Sequence, residues 1–337
     1  RANRVDPALY GEVLQANEKR DPRAYVISRS QRDLPTTVAF LNALLKNGVE
    51  VLEADAPFSA AGTSYPAGSW IVKTSQAYRP HVLDMFEPQD HPHDVEYPGG
   101  PPKMPYDITG YTLSDQMGVG YDRVFETIDP AASPITGLLE VPAGQVVGSG
   151  DAGWLVRHET NNSFILTNRL LKAGLPVSWI KSATRAGNVE FAPGAVWIPA
   201  SGEARRIVEA SVKDLGINAY AQGAAPSQEA MAIAPVRVGL VDQYGGVMPS
   251  GWTRWLFEQY EFPFEVVFPS ELDQGNLADK FDVLVFANGT VPPVKDGPWS
   301  GRPSSMPDPE TIPAEYRSQL GLVSEEKTAP ALAEFAQ

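Results

Sequence analysis

Residues 23 to 86 of this chain reappear, degraded but legible, from 152 onward. Asn42-Ala-Leu-Leu-Lys-Asn-Gly48 answers Asn168-Arg-Leu-Leu-Lys-Ala-Gly174 at an offset of 126, and Pro66 and Trp70 answer Pro193 and Trp197 at 127. Each copy opens with a short apolar run, at 24–27 and at 154–156. Each continues with a helix-period segment closed by Gly48 or Gly174, a second apolar run, a Pro/Gly turn and a Trp-centred strand. Self-similarity at a fixed spacing is the signature of a repeated supersecondary unit that buries apolar surface against its twin. A duplicated scaffold is not itself a site, so function is to be sought between or beyond the copies.

The first copy predicts a helix with Asp33 as N-cap and Pro35 in its first turn. Val38, Leu41, Leu44 and Leu45 recur at three- and four-residue spacing up to the stop at Gly48. Strands follow at 49–52 and 69–72 around a turn at 65–68, then a second helix at 78–86. The second copy repeats the order, with a helix over 162–172, strands at 177–180 and 196–198, and a helix over 203–215. The two Trp residues are expected to be buried and equivalent, and Lys46 and Lys172 to meet the negative ends of their helix dipoles. Residues 87–150, rich in Pro and Gly, read as a long connection over the surface, and 223–235 as a linker. From 236 a third segment reads as strand (236–241), Ser250 N-cap, helix (251–260) and strands (264–268, 281–286), which is the start of an open parallel sheet. The organisation is thus an N-terminal segment (1–22), a first repeat (23–86), a connection (87–150), a second repeat (151–222), a linker (223–235) and a last domain (236–337). The fold class is α/β: a duplicated strand-helix-strand-strand-helix unit followed by a partial flavodoxin-like parallel sheet.

Composition narrows the function. Of 337 residues, 43% are hydrophobic and 20% charged, which is the balance of a globular chain with a sizeable core. No run approaches the ~20 apolar residues of a membrane span. A formal charge of −14 and the lack of a basic stripe work against a nucleic-acid partner, whose phosphates must be met by Lys and Arg. The absence of cysteine excludes disulfides, Cys-ligated zinc and a thiol nucleophile. The start at Arg1 and the uncapped helical pattern at 328–337 read as a fragment of a longer protein.

Several constellations carry possible chemistry. Gly148-Ser-Gly150-Asp-Ala-Gly153 matches Gly-x-Gly-x-x-Gly, but an apolar run expected to be a strand follows where a dinucleotide site needs a helix, so a turn is the better reading. Asp90, His91, His93 and Asp94 offer metal-ligand types in a Pro-rich loop, and His81 with Asp84 does so on a helix; both are weaker than a rigid three- or four-ligand site. His158-Glu159, just past a strand end, faces the ligand crevice of an open sheet, with capping by Asn161 and Asn162 as the plain alternative. The loop from Asp242 through Tyr244, Gly245 and Gly246 to Ser250 joins a strand to a helix N-terminus and has the geometry of a small-ligand cradle.

Four strings resemble one family: 105–119 (Pro-Tyr-Asp-Ile-Thr-Gly-Tyr-Thr-Leu-Ser-Asp-Gln-Met-Gly-Val), 65–72 (Tyr-Pro-Ala-Gly-Ser-Trp-Ile-Val) with Tyr78-Arg-Pro80, 168–174, and 251–263. They are similar to the C-terminal half of long, mostly secreted bacterial zinc carboxypeptidase-like proteins of the carboxypeptidase A family. The resemblance implies a secreted or periplasmic parent, a zinc site outside this chain, and partners that are the parent's own peptidase domain or its peptide substrate. The family's His-x-x-Glu zinc pair has one match here, His93-Asp-Val-Glu96, with His158 as the next histidine. That set would make a metal-dependent hydrolase the outlying alternative, beside a free-standing ligand- or peptide-binding module with loops near Arg29, His158 and Asp242. The segment from 236 resembles a class I glutamine amidotransferase-like domain, whose Cys nucleophile this chain lacks. The implied role is therefore a non-catalytic region, with no cofactor of its own, that supports or orients a peptidase.

Overall fold

The computed structural model describes residues 6–14, 16, 20–88, 93–103, 111–291 and 307–337. The fold is α/β. Two compact units separate, one of Arg1–Val147, Arg157–Ser163 and Glu209–Ala219, the other of Gly148–Val156, Phe164–Val208 and Tyr220–Gln337.

In the first unit the order is β1 (Ala24–Ile27), α1 (Leu34–Lys46), β2 (Leu52–Ala54), a hairpin β3 (Phe58–Ala60) and β4 (Thr63–Tyr65), β5 (Trp70–Lys73), α2 (Arg79–Phe86), a short α3 (Leu113–Gln116), β6 (Asp122–Val124), β7 (Ala132–Pro134) and β8 (Val146–Val147). Strands pair in the order β6-β1-β5-β2-β7. Alternation along β1 and β5 sends Tyr25, Ile27, Trp70 and Val72 into one buried cluster with Phe40, Leu41, Leu44, Val82 and Phe86 of the helices. Ala24, Val26 and Ile71 point the other way, where Ala60 and Tyr65 of the hairpin close the second face. Both faces are therefore buried, and the strands read as continuous apolar runs.

The second copy runs β9 (Gly153–Val156), α4 (Ser163–Lys172), β10 (Val177–Ile180), a hairpin β11 (Thr184–Ala186) and β12 (Val189–Phe191), β13 (Val196–Pro199), α5 (Gly202–Leu215), β14 (Ala219–Gln222) and β15 (Ala230–Ile233). Five strands of its six-stranded sheet pair in the order β14-β9-β13-β10-β15, which is the order of the first sheet with each strand replaced by its counterpart, and β8 is a sixth strand without a counterpart. The repeat therefore reaches further than the sequence reading took it. β6 and β7 come from the stretch read as a surface connection, and β15 from the stretch read as a linker. These strands are short and lie at sheet edges, where a few backbone pairings suffice and no apolar pattern is needed.

The registers fix one offset of 126 for the second copy's counterparts of α1, β2 and β5. The turn amide of Gly68 donates to Ala54 O at 2.8 Å and that of Gly194 to Ile180 O at 2.7 Å. Ile71 pairs with Val26 and Leu52, as Trp197 pairs with Leu155 and Ser178. Trp197 is thus the counterpart of Ile71, and Val196 that of Trp70. Both tryptophans are buried, at 0% and 7% exposure. They are not equivalent, however: Trp70 packs among the helices, while Trp197 packs against Ala186 and Phe191 of its hairpin. A one-residue shift along a strand changes the face, so matching Trp with Trp misassigned the side.

Helix ends follow the sequence closely. Asp33 Oδ1 accepts the Thr36 amide at 3.1 Å as N-cap of α1. Gly48 and Gly174 take left-handed φ of +84° and +69°. Around them Gly48 N donates to Leu45 O and Val49 N to Leu44 O, as Gly174 N does to Leu171 O and Leu175 N to Leu170 O. This is the same Schellman closure in both copies. Lys46 and Lys172 lie in the last turns of α1 and α4.

The third segment, within the second unit, contributes β16 (Val238–Val241), α6 (Met248–Gln259), β17 (Phe264–Val267), two short helices α7 (Pro269–Leu272) and α8 (Leu277–Lys280), β18 (Val283–Phe286) and a last helix α9 (Thr328–Phe335). The three strands are parallel in the order β17-β16-β18. Val241, Val267, Leu272, Leu277 and Phe281 form their core, with Ala331, Leu332 and Phe335 of α9 packed on it.

Candidate functional site

Parallel strands bring their carboxyl ends to one edge, and the edge opens where successive connections leave a central strand on opposite sides. β16 is that strand: the chain passes through α6 to β17 on one side and later crosses to β18 on the other. The loops after β16 and β18 meet there, since a Cβ on Gly289 would lie 3.5 Å from Val247 Cγ1. Asp242 extends the ladder, its amide donating to Val267 O at 2.9 Å, and its Oδ1 accepts the Gln243 amide at 2.9 Å. Gly245 and Gly246, at φ of +86° and +68°, turn the chain back into α6. Tyr244 is half-buried and the glycines are exposed. The amides of Tyr244 and Gly245 have no partner among the described residues.

Ser250 leaves this set. The helix starts at Met248, with Val247 as the N-cap position, so Ser250 is its third residue and not its cap. Its hydroxyl donates to Val247 O at 2.8 Å and accepts the Val247 amide at 3.4 Å, with the residue 1% exposed. What remains in the crevice is a half-buried carboxylate beside two open amides. That pairing accepts from a ligand N–H and donates to a ligand oxygen, so it suits a neutral polar or zwitterionic group better than a simple anion.

His158 sits after β9, in the first unit. Its Nδ1 is buried and lies 3.5 Å from Glu159 Oε2, too far and too poorly aimed for a hydrogen bond. The neighbouring asparagines donate rather than cap: Asn161 N to Asp33 Oδ2 at 2.8 Å, Asn161 Nδ2 to Thr36 Oγ1 at 3.0 Å, and Asn162 Nδ2 to Leu215 O at 2.8 Å. The loop therefore anchors itself on the N-terminus of α1. The Arg29 guanidinium lies over the Trp70 ring, 4.9 Å from its centroid, and the Arg29 amide donates to Ser69 Oγ.

His93 and Glu96 flank a small closed loop. Val95 bridges Pro102, the Glu96 amide donates to Pro101 O at 3.1 Å, and Lys103 pairs with Asp94 at 3.0 Å. Asp90 and His91 lie outside the described residues. Among those described, no three His, Asp or Glu side chains group as a metal site would group them, so His93, Glu96 and His158 are not brought together. His81 lies half-buried on α2 with its Nε2 enclosed and without a partner among the described residues. The Gly148 motif leads into β9, a strand. Its glycines serve close approach of backbones instead, a Cβ on Gly150 falling 2.2 Å from Gln222 C.

One cluster escaped the sequence reading. Arg20, Arg23, Lys73 and Arg79 line a cleft of about 490 Å³ where the start of β1 meets the end of β5. The signal was present as Arg20-Asp-Pro-Arg23, but only the antiparallel pairing of Ala24 with Lys73 brings the distant cations beside it. Comparisons with protein-family models, with curated proteins and with solved structures return no match to this chain.

Proposed function

We propose that this chain is a non-catalytic accessory region of a secreted zinc carboxypeptidase-like protein, whose catalytic zinc lies in another domain and whose activity this region supports or orients. One observation supports the reading most directly: the strings that carry the resemblance are framework residues. Trp70 is core, Leu113 and Met117 pack onto the same cluster, and Leu170 is fully buried in α4. Asn168 Nδ2 donates to Tyr260 O at 2.8 Å, and Arg169 grips Glu261 through Nε at 3.1 Å and Nη2 at 2.8 Å. Residues that hold elements together suit a scaffold.

The test is the zinc content of the purified chain and its release of C-terminal residues from peptides, together with calorimetric titration against the parent's peptidase domain. The expected result is no stoichiometric zinc, no hydrolysis, and association with that domain. One zinc per chain that disappears in His93→Ala, with hydrolysis lost alongside, would replace this reading by the metal-dependent hydrolase. A second reading, a ligand- or peptide-binding module, is favoured by the crevice at Asp242 with its open amides. It predicts that Asp242→Ala abolishes binding of a zwitterionic ligand without changing stability.

A further inference from the structure

The cleft at the start of β1 stands out in a chain of net charge −14 because its own balance is positive: four cations against the two carboxylates paired with them. Arg79 Nη2 meets Asp21 Oδ2 at 2.6 Å and Lys73 Nζ meets Asp129 Oδ1 at 3.2 Å, which leaves Arg20 and Arg23 in excess. Arg20 donates through Nη2 to Phe125 O, while its Nε is buried without a partner among the described residues. Arg23 is exposed, and its guanidinium has no partner among the described residues. Thr74 holds the rim: its hydroxyl donates to Pro22 O at 2.8 Å and its amide to Arg23 O at 2.9 Å. The 20–23 segment is thus tied to the end of β5, so the cations are held together by backbone rather than by chance contact.

Two cations in excess of their carboxylates draw anionic oxygens, and the exposed Arg23 offers a guanidinium fork built for a planar oxygen pair. We propose that this cleft binds a small organic dianion, its two charges carried on carboxylate or phosphate oxygens that meet Arg20 and Arg23. The cleft's volume is in the range of small-molecule sites, roughly 300–1,000 Å³. This binding does not depend on the chain's being an accessory region.

Calorimetric titration of the whole chain with inorganic phosphate and with succinate, each against sodium chloride at matched ionic strength, tests it. The expected result is saturable binding of at least one dianion, weakened by about tenfold or more in Arg23→Ala, the loss of a charge-assisted hydrogen-bond pair. Arg23→Lys should recover part of the loss, because it restores charge but not the fork. Arg23 is exposed, so the variant keeps its fold, which circular dichroism verifies. Arg254→Ala, on α6 of the other unit, should bind as the unsubstituted chain does. Preference for phosphate assigns the phosphoryl class and preference for succinate the dicarboxylate class. Responses no greater than chloride, or binding unchanged in Arg23→Ala, would overturn the proposal.

Discussion

Trp197 fits its sheet because Gly153 lacks a side chain. In the first copy the corresponding positions are Ile71 and Ala24, a medium residue beside a small one. In the second, the larger Trp takes the place of Ile and Gly that of Ala, so volume is exchanged across neighbouring strands. A Cβ on Gly153 would lie 2.2 Å from Ile198 O and 2.6 Å from Trp197 Cη2. Gly153→Ala is expected to lower stability by about 1–3 kcal/mol, the range for overpacking, read from urea unfolding midpoints. Unchanged midpoints would show that the Ile198 carbonyl and the Trp197 ring both yield without cost. None of this was legible in the sequence, where Gly153 looked like the end of a Gly-rich turn; the requirement comes from a strand 44 residues away. Two tyrosines set a pH limit. Burial first, then the hydrogen bond to Glu87 at 2.7 Å, push the Tyr25 phenol well above its ordinary range, and burial with Asp122 does the same for Tyr65. Both raised groups keep protons that the unfolded chain releases above about pH 10, so their contribution is fully present below that pH and is lost as pH rises beyond it. Urea midpoints should fall between about pH 9 and pH 11, and less steeply in the Tyr25→Phe, Tyr65→Phe variant. A midpoint flat across that range would refute the assignment.

Elements were recognised best where an end signal coincided with an apolar period. α1 and α4 carry both, and their glycine closures are the same down to the two backbone bonds. The repeated Asn is subtler: Asn42 exchanges two hydrogen bonds with the backbone of Leu139, and its counterpart Asn168 donates to Tyr260 O. One side chain at one helical position thus receives a passing segment in each copy, something visible only as an unexplained identity in the sequence. The rings and low charge of the segment Tyr106 to Met117 predict that it is ordered and packed, with Tyr111 and Leu113 against one repeat and Asp107 or Thr109 bonding backbone; residues 106–110 lie outside the described residues. Thr112 and Ser114 provide such bonds instead, on the last turn of α2. The Thr112 amide donates to Asp84 O, Ser114 Oγ to Met85 O at 3.0 Å, Tyr121 OH to Phe86 O, and Thr112 Oγ1 to Glu87 O at 2.7 Å. Carbonyls that a helix end leaves open are all taken, while Leu113 packs into the core beside them. Leu113→Ala with Ser114→Ala should cost about 3–5 kcal/mol, one large-to-small core change plus one buried carbonyl left open. Thermal unfolding of the double variant measures it, and a loss under about 1 kcal/mol would make this segment a mere tether.

At the scale of the molecule, the third segment leaves a row of large apolar side chains open among the described residues. Its sheet has three strands, and α6 turns Met248, Trp252, Trp255 and Leu256 toward solvent, each between 46% and 78% exposed. The sequence showed α6 as a helix but not which side would be left open, because that is decided by what packs on the strands. The helix that covers them is the last one. Ala331, Leu332 and Phe335 lie on the cluster of Val241, Val267, Leu272 and Phe281. Thr328 ties it down, its hydroxyl donating to Asp273 Oδ1 at 2.6 Å and accepting the Ser324 amide at 2.9 Å. The pattern that read as an unfinished helix is thus a structural lid on β16 to β18. Burial of its three apolar side chains contributes on the order of 3–5 kcal/mol, a large share of what a three-stranded sheet can muster. Removing residues 324–337 should therefore release amide protection in β16, β17 and β18, while β1, β5, β9 and β13 exchange as before because their cores are built from other residues. Hydrogen exchange read by mass spectrometry, peptide by peptide, decides this. Protection of β16 undiminished in the truncated chain would mean that the parallel sheet stands without α9, and equal loss in β1 would mean that the chain unfolds as one body.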